Sequence, residues 1–148
     1  MVWPFDKKYL DAEEEEAVVD AINRAQEGNL GEVRVHIEKR CDHGDGALGR
    51  AREKFYKLGM SETDEGTGVL LYVALKDRVT AVYAGPGIHT CCAEAFWEDV
   101  TETVARGYKE GRGAEGIVEA VDKIGDLLRE HVPGEKDENE LPEEVTMA

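Results

Sequence analysis

Seven consecutive residues, Val69-Leu70-Leu71-Tyr72-Val73-Ala74-Leu75, are apolar apart from one tyrosine hydroxyl. Gly68 precedes the run and Lys76 follows it, so its length suits a strand rather than a helix. Successive strand residues face opposite ways, so a strand apolar at every position needs cover on both faces, as a central strand has. Lys76-Asp77 then reads as a short hairpin turn into Arg78–Tyr83, which makes the next strand antiparallel to this one. Ala84-Gly85-Pro86-Gly87 breaks that strand.

The remaining elements follow from periodicity and capping. Asp11 with Glu14 three residues on predicts a capping box, and the glutamates from Glu13 to Glu16 suit the positive end of the helix dipole. Ala17, Val18, Ala21, Ile22 and Ala25 form the apolar stripe of that helix, which Gly28-Asn29 stops. From Gly31 the chain alternates. Val33, Val35 and Ile37 point one way and Arg34, His36 and Glu38 the other, which predicts a half-buried strand. A helix entered at Asp45 or Gly46 is expected to bury Leu48, Ala51, Phe55 and Leu58 and to stop at Gly59. Two more amphipathic helices carry Phe96, Trp97, Val100, Val104 and Tyr108, then Ile117, Val118, Val121, Ile124 and Leu128. Strands interleaved with helices place the chain in the α/β class. Residues 1–134 read as one packed domain and 135–148 as an acidic tail, with six acids against Lys136. That composition predicts a solvated tail.

At 148 residues, 41% of them hydrophobic, the chain can bury a core without metal or disulfides. Its formal charge of -15 argues against nucleic acid, whose phosphates need clustered Lys and Arg, and favours cations or basic protein partners. Cys41, Cys91 and Cys92 are odd in number and two are adjacent, so no disulfide framework is expected. Neither a signal-peptide run nor a stretch of membrane-spanning length occurs, which predicts a cytoplasmic protein. A monomer is expected.

An ordered set of short segments resembles the TPM domain family: Gly31-Glu32-Val33-Arg34-Val35-His36-Ile37, Leu58-Gly59-Met60, Gly68-Val69-Leu70-Leu71-Tyr72, Gly87-Ile88-His89, Phe96-Trp97 and Gly116-Ile117-Val118. The tail segment Asn139-Glu140-Leu141-Pro142-Glu143-Glu144 belongs to the same set, so Leu141 and Pro142 are candidates for docking on the domain or a partner. The chain is most similar to the short, soluble bacterial members. The resemblance implies a three-layer α/β/α sandwich around a small mixed sheet. It also implies a choice of roles, because some members act as acid phosphatases on model substrates, some bind calcium or other divalent ions, and plant members assist photosystem II repair.

The first two strands are joined through a helix, so a right-handed parallel crossover is expected. That topology gathers Asn29–Glu32, Asp64–Gly68 and Ala84–His89 at one sheet edge. A binding cleft of Glu32, Thr67, Gly85, Gly87 and His89 is expected there, with Glu32, Asp64 and Glu65 as oxygen ligands for calcium or magnesium. The plainer alternative is that the glycines only permit tight turns. Relatives often carry Arg-Asn-Gly where this chain has Gly66-Thr67-Gly68, and many carry Gly-Asp-Glu-Gly where it has Ala84-Gly85-Pro86-Gly87. Those losses point to an accessory or interaction domain that binds divalent cations weakly. A low-activity metal-dependent acid phosphatase and a structural domain with no ligand are the alternatives.

At the opposite edge Asp42 and Asp45 are secondary cation candidates, while Cys41 and His43 would suit a softer metal. Asp45 as a helix cap and Cys41 as an ordinary strand-end residue are the plainer readings. His36 is expected at the surface or satisfied by a neighbour. Phe96, Trp97 and Tyr108 are expected to pack in the core. Neither a nucleophile elbow nor a phosphate loop is present.

Overall fold

The sheet is built from the two segments with the plainest strand patterns. In the computed structural model, which describes residues 9–62, 66–135 and 145–147, β1 (Glu32–Glu38) pairs in parallel with β2 (Gly68–Ala74), Glu32 opposite Gly68 and Glu38 opposite Ala74. Helix α2 (Gly46–Lys57) makes the crossover between them. The hairpin sets β3 (Val79–Ala84) antiparallel to β2. Its turn is longer than expected: Ala74 and Val79 are the last pair, Leu75–Arg78 form the loop, and Arg78 takes a left-handed backbone with φ 55.

A fourth strand comes from the tail. Residues Val145–Met147 form β4, parallel to β1, giving the order β3-β2-β1-β4. The end of the acidic segment is therefore ordered on the sheet. Three residues are too few to show a strand period amid so many acids. Leu141 and Pro142 lie outside the described residues.

Three helices cover one face. They are α1 (Ala12–Ala25), α4 (Glu94–Lys109) and α5 (Gly113–His131), the last two following a short turn of helix, α3 (Pro86–His89). Asp11 and Glu14 close the expected capping box, with bonds of 2.8 and 2.9 Å. Val33, Val35 and Ile37 join Val69, Leu71 and Val73 beneath these helices, against Val18, Ile22, Val104, Ile117, Ile124 and Leu128. Phe96, Trp97 and Tyr108 pack on that core while remaining half-buried. On the α1 stripe Ala17 stays exposed. Among the described residues no helix is long and apolar enough to cross a membrane.

The other face carries α2, which completes an α/β/α sandwich. Its buried stripe differs from the expected one. Ala47 and Ala51 pack over Tyr72 and Ala74, and Phe55 packs over Leu70, leaving Leu48 57% exposed. The small side chains on the Ala47 side let the helix approach the sheet, and that choice rotates Leu48 outwards.

Helices α4 and α5 touch backbone to backbone. A β-carbon at Gly107 would lie 2.8 Å from the Gly116 α-carbon and 3.0 Å from the Arg112 carbonyl oxygen. Backbone atoms of two packed helices cannot yield cheaply, so overpacking of about 1–3 kcal/mol should outweigh the helix-propensity gain of roughly 1 kcal/mol from glycine to alanine. Gly107→Ala is therefore expected to lower the urea midpoint, with net destabilisation of about 1 kcal/mol. An unchanged or higher midpoint would show that the helices can separate freely.

Candidate functional site

The crossover brings Asn29–Glu32, Gly66–Gly68 and Ala84–His89 to one end of the sheet. Main-chain bonds join them: Glu32 N–H to the Thr67 carbonyl (3.2 Å), Gly85 N–H to the Gly68 carbonyl (2.8 Å) and Gly87 N–H to the Gly66 carbonyl (2.8 Å). Asn29 ties the first segment to α1, donating to the Ala25 carbonyl at 2.7 Å and accepting from Gly31 N–H at 2.8 Å.

Glu32, Thr67, Gly85, Gly87 and His89 thus share this end, but not one environment. Glu32, Thr67 and Gly85 are buried, while Gly87 and His89 are exposed. The Thr67 hydroxyl donates its proton to the Leu30 carbonyl at 2.8 Å. A β-carbon on Gly85 would lie 2.4 Å from the Gly66 carbonyl oxygen, so the main chain of one loop occupies that side-chain position. Asp64 and Glu65 lie outside the described residues.

At the opposite end, Asp42 and Asp45 are both exposed. Asp45 occupies the position before α2 but makes no side-chain cap; its N–H donates to His43 Nδ1 at 3.1 Å. His43 Nε2 lies 3.4 Å from Glu53, and Cys41 N–H donates to Asp77 at 2.6 Å. Among the described residues no three of His, Cys, Asp and Glu converge as a group that could hold a metal ion. Cys41, Cys91 and Cys92 are unbridged.

A polar network missed by sequence reasoning lies under α2. The half-buried strand β1 is in fact buried at all seven positions, its polar face included. Glu38 accepts from Arg50 Nε (2.9 Å) and Nη2 (2.8 Å) and from the Tyr72 hydroxyl. His36 Nε2 lies 3.3 Å from Glu38, and its Nδ1 lies 2.7 Å from the Thr146 hydroxyl of β4. An ionised carboxylate only accepts, so the neutral His36 ring carries its proton on Nε2 and accepts at Nδ1. His36 is therefore a satisfied interior histidine.

Burial would raise the Glu38 pKa, but hydrogen bonds from Arg50 and Tyr72 overrule it and hold the carboxyl at about 2. Burial, helped by the Lys54 charge, lowers His36 to about 4. Burial and the bond to Glu38 push the Tyr72 phenol up. No member of this set changes charge near neutrality, as an efficient general acid or base would. The network holds the sheet, α2 and β4 together. Its sequence signal was three ionisable residues in a row on one strand face, followed by a helix bearing Arg50.

The TPM domain family profile matches residues 5–127. The chain belongs to the TPM domain family. This TPM domain is similar over 95% of its length, at 35% identity and a TM-score of 0.84, to the solution structure of BA42 from the psychrophilic bacterium Bizionia argentinensis, 96% of which is covered. Two further structures share the fold. The N-terminal domain of a P. gingivalis protein gives 17% identity, coverage of 88% of this chain and 85% of that one, and a TM-score of 0.70. The N-terminal domain of the Corynebacterium glutamicum protein cg2496 gives 11%, 89%, 82% and 0.60 for the same measures. No curated protein sequence matches the chain.

Proposed function

We propose that this TPM domain works as an accessory or interaction domain rather than as an enzyme, with a weak divalent-cation response at its glycine-lined edge. One observation carries the reading: the Gly85 main chain sits against the Gly66 carbonyl, where a β-carbon would be 2.4 Å from oxygen. The loops that would have to part around a substrate hold each other instead, and the Thr67 hydroxyl is engaged by Leu30. The net charge of -15 favours a partner with a basic surface. Three unbridged cysteines fit a reducing, cytoplasmic setting.

A phosphate-monoester assay with and without calcium or magnesium tests the reading. Turnover no faster than in the metal-only blank supports it. Cation-dependent turnover that disappears in Glu32→Ala would replace it with the metal-assisted phosphatase, in which the ion would polarise phosphoryl oxygens.

A further inference from the structure

We propose that the groove between the β2–β3 hairpin and the last turns of α4 binds an organic carboxylate with an apolar body. The groove has a volume of ≈ 650 Å³ and lies at the other end of the sheet from the glycine-lined edge. Small-molecule pockets run roughly 300–1,000 Å³ and are mostly apolar with a few placed polar groups. Val73, Leu75, Val79 and Ala105 supply apolar wall here, together with Tyr108. Its charged residues are Arg78 and Lys109, both exposed cations.

Both cations are open to a ligand, and the backbone of one is unusual. Among the described residues neither Arg78 nor Lys109 joins an ion pair, a state they share with Lys39, Lys76 and Arg106, so neither has to leave a carboxylate to take a ligand. Arg78 also occupies a left-handed backbone position, φ 55, where glycine would cost less. A strained arginine lining an apolar groove, with a second unpaired cation in the same lining, is the arrangement that a carboxylate headgroup with a hydrophobic tail would satisfy. The overall negative charge does not forbid such a ligand. At physiological ionic strength the screening length is about 8 Å, so distant acids are damped while the two groove cations act directly.

Octanoate is the probe, followed by amide chemical shifts of the full chain at physiological salt. Saturable shifts clustered at Val73–Thr80 and Ala105–Lys109 are expected, with acetate and octylamine each at least about tenfold weaker because one lacks the body and the other the charge. Arg78→Gly should raise the melting temperature by relieving the backbone while weakening octanoate binding. Lys109→Ala should weaken binding about tenfold with the spectrum otherwise unchanged. Ala105→Trp, on the exposed side of α4, should block the groove. Shifts that never saturate, equal binding of octylamine, or octanoate affinity unchanged in Lys109→Ala and Ala105→Trp would each overturn the proposal.

Discussion

Replacing Glu38 with Ala is expected to destabilise the domain by about 3–5 kcal/mol, the range for removing one partner of a buried ion pair. Three groups depend on this carboxylate. Arg50 donates twice to it, Tyr72 once, and His36 Nε2 faces it at 3.3 Å. Without it the phenol and the imidazole N–H, both almost closed from solvent, lose their acceptor, and among the described residues Arg50 retains only Glu53. A buried donor left without a partner costs about 1–3 kcal/mol, more when charged, so the loss is not that of one average hydrogen bond. Glu38→Gln keeps an acceptor oxygen and should cost less. Urea unfolding of the two variants checks this; a loss under about 1 kcal/mol for Glu38→Ala would mean that water replaces the carboxylate at little expense.

Acid should weaken the fold in two steps. His36 is lowered from its ordinary 6.5 to about 4 in the folded protein, first by burial and then by the Lys54 charge, with Arg50 adding to it and Glu38 opposing. Between those values the unfolded chain binds a proton that the folded chain refuses. The stability tied to His36 is therefore complete above 6.5 and falls as pH drops towards 4, by up to about 3 kcal/mol. Glu38 is lowered from 4.5 to about 2, so its contribution holds above 4.5 and is lost as pH falls towards 2. Protonating His36 at Nδ1 reverses the Thr146 bond, because the hydroxyl can accept from the ring and donate to the Val35 carbonyl at 3.4 Å, so β4 should stay paired through the first step. Urea midpoints from pH 7 down to pH 4 test this, with amide exchange at Val145–Met147 as the local readout. His36→Gln should flatten the upper part of the curve. A wild-type midpoint constant from pH 7 to pH 4 would contradict the interior placement of His36.

Much of the sheet was legible because its patterns were local. Val69–Ala74 could only be a strand covered on both sides, and Val33, Val35 and Ile37 had a single apolar face to bury. Features that depended on where elements meet were hidden. Alternation of Val with Arg, His and Glu is the mark of a half-exposed strand, and only the seating of α2 closes the polar face over β1. Glu38 and Arg50 are twelve positions apart on different elements, so no spacing rule joins them. Leu48 and Ala47 compete for the same face of α2, and close approach to Tyr72 and Ala74 selects the smaller residue. At the glycine-lined edge, the gathering of Glu32, Thr67, Gly85, Gly87 and His89 followed from topology. Their separation into buried and exposed groups did not, since it depends on Gly85 seating against the Gly66 carbonyl.

The most direct measurement of the proposed role is a chemical-shift titration of the intact chain with calcium and magnesium, with zinc as a contrast. Fast-exchanging shifts are expected at millimolar calcium, clustered at Glu32, Gly66–Thr67 and Gly85–His89, with no accompanying phosphate-monoester turnover. An unchanged spectrum at those residues, or tight binding centred on Asp42 and Asp45, would contradict it.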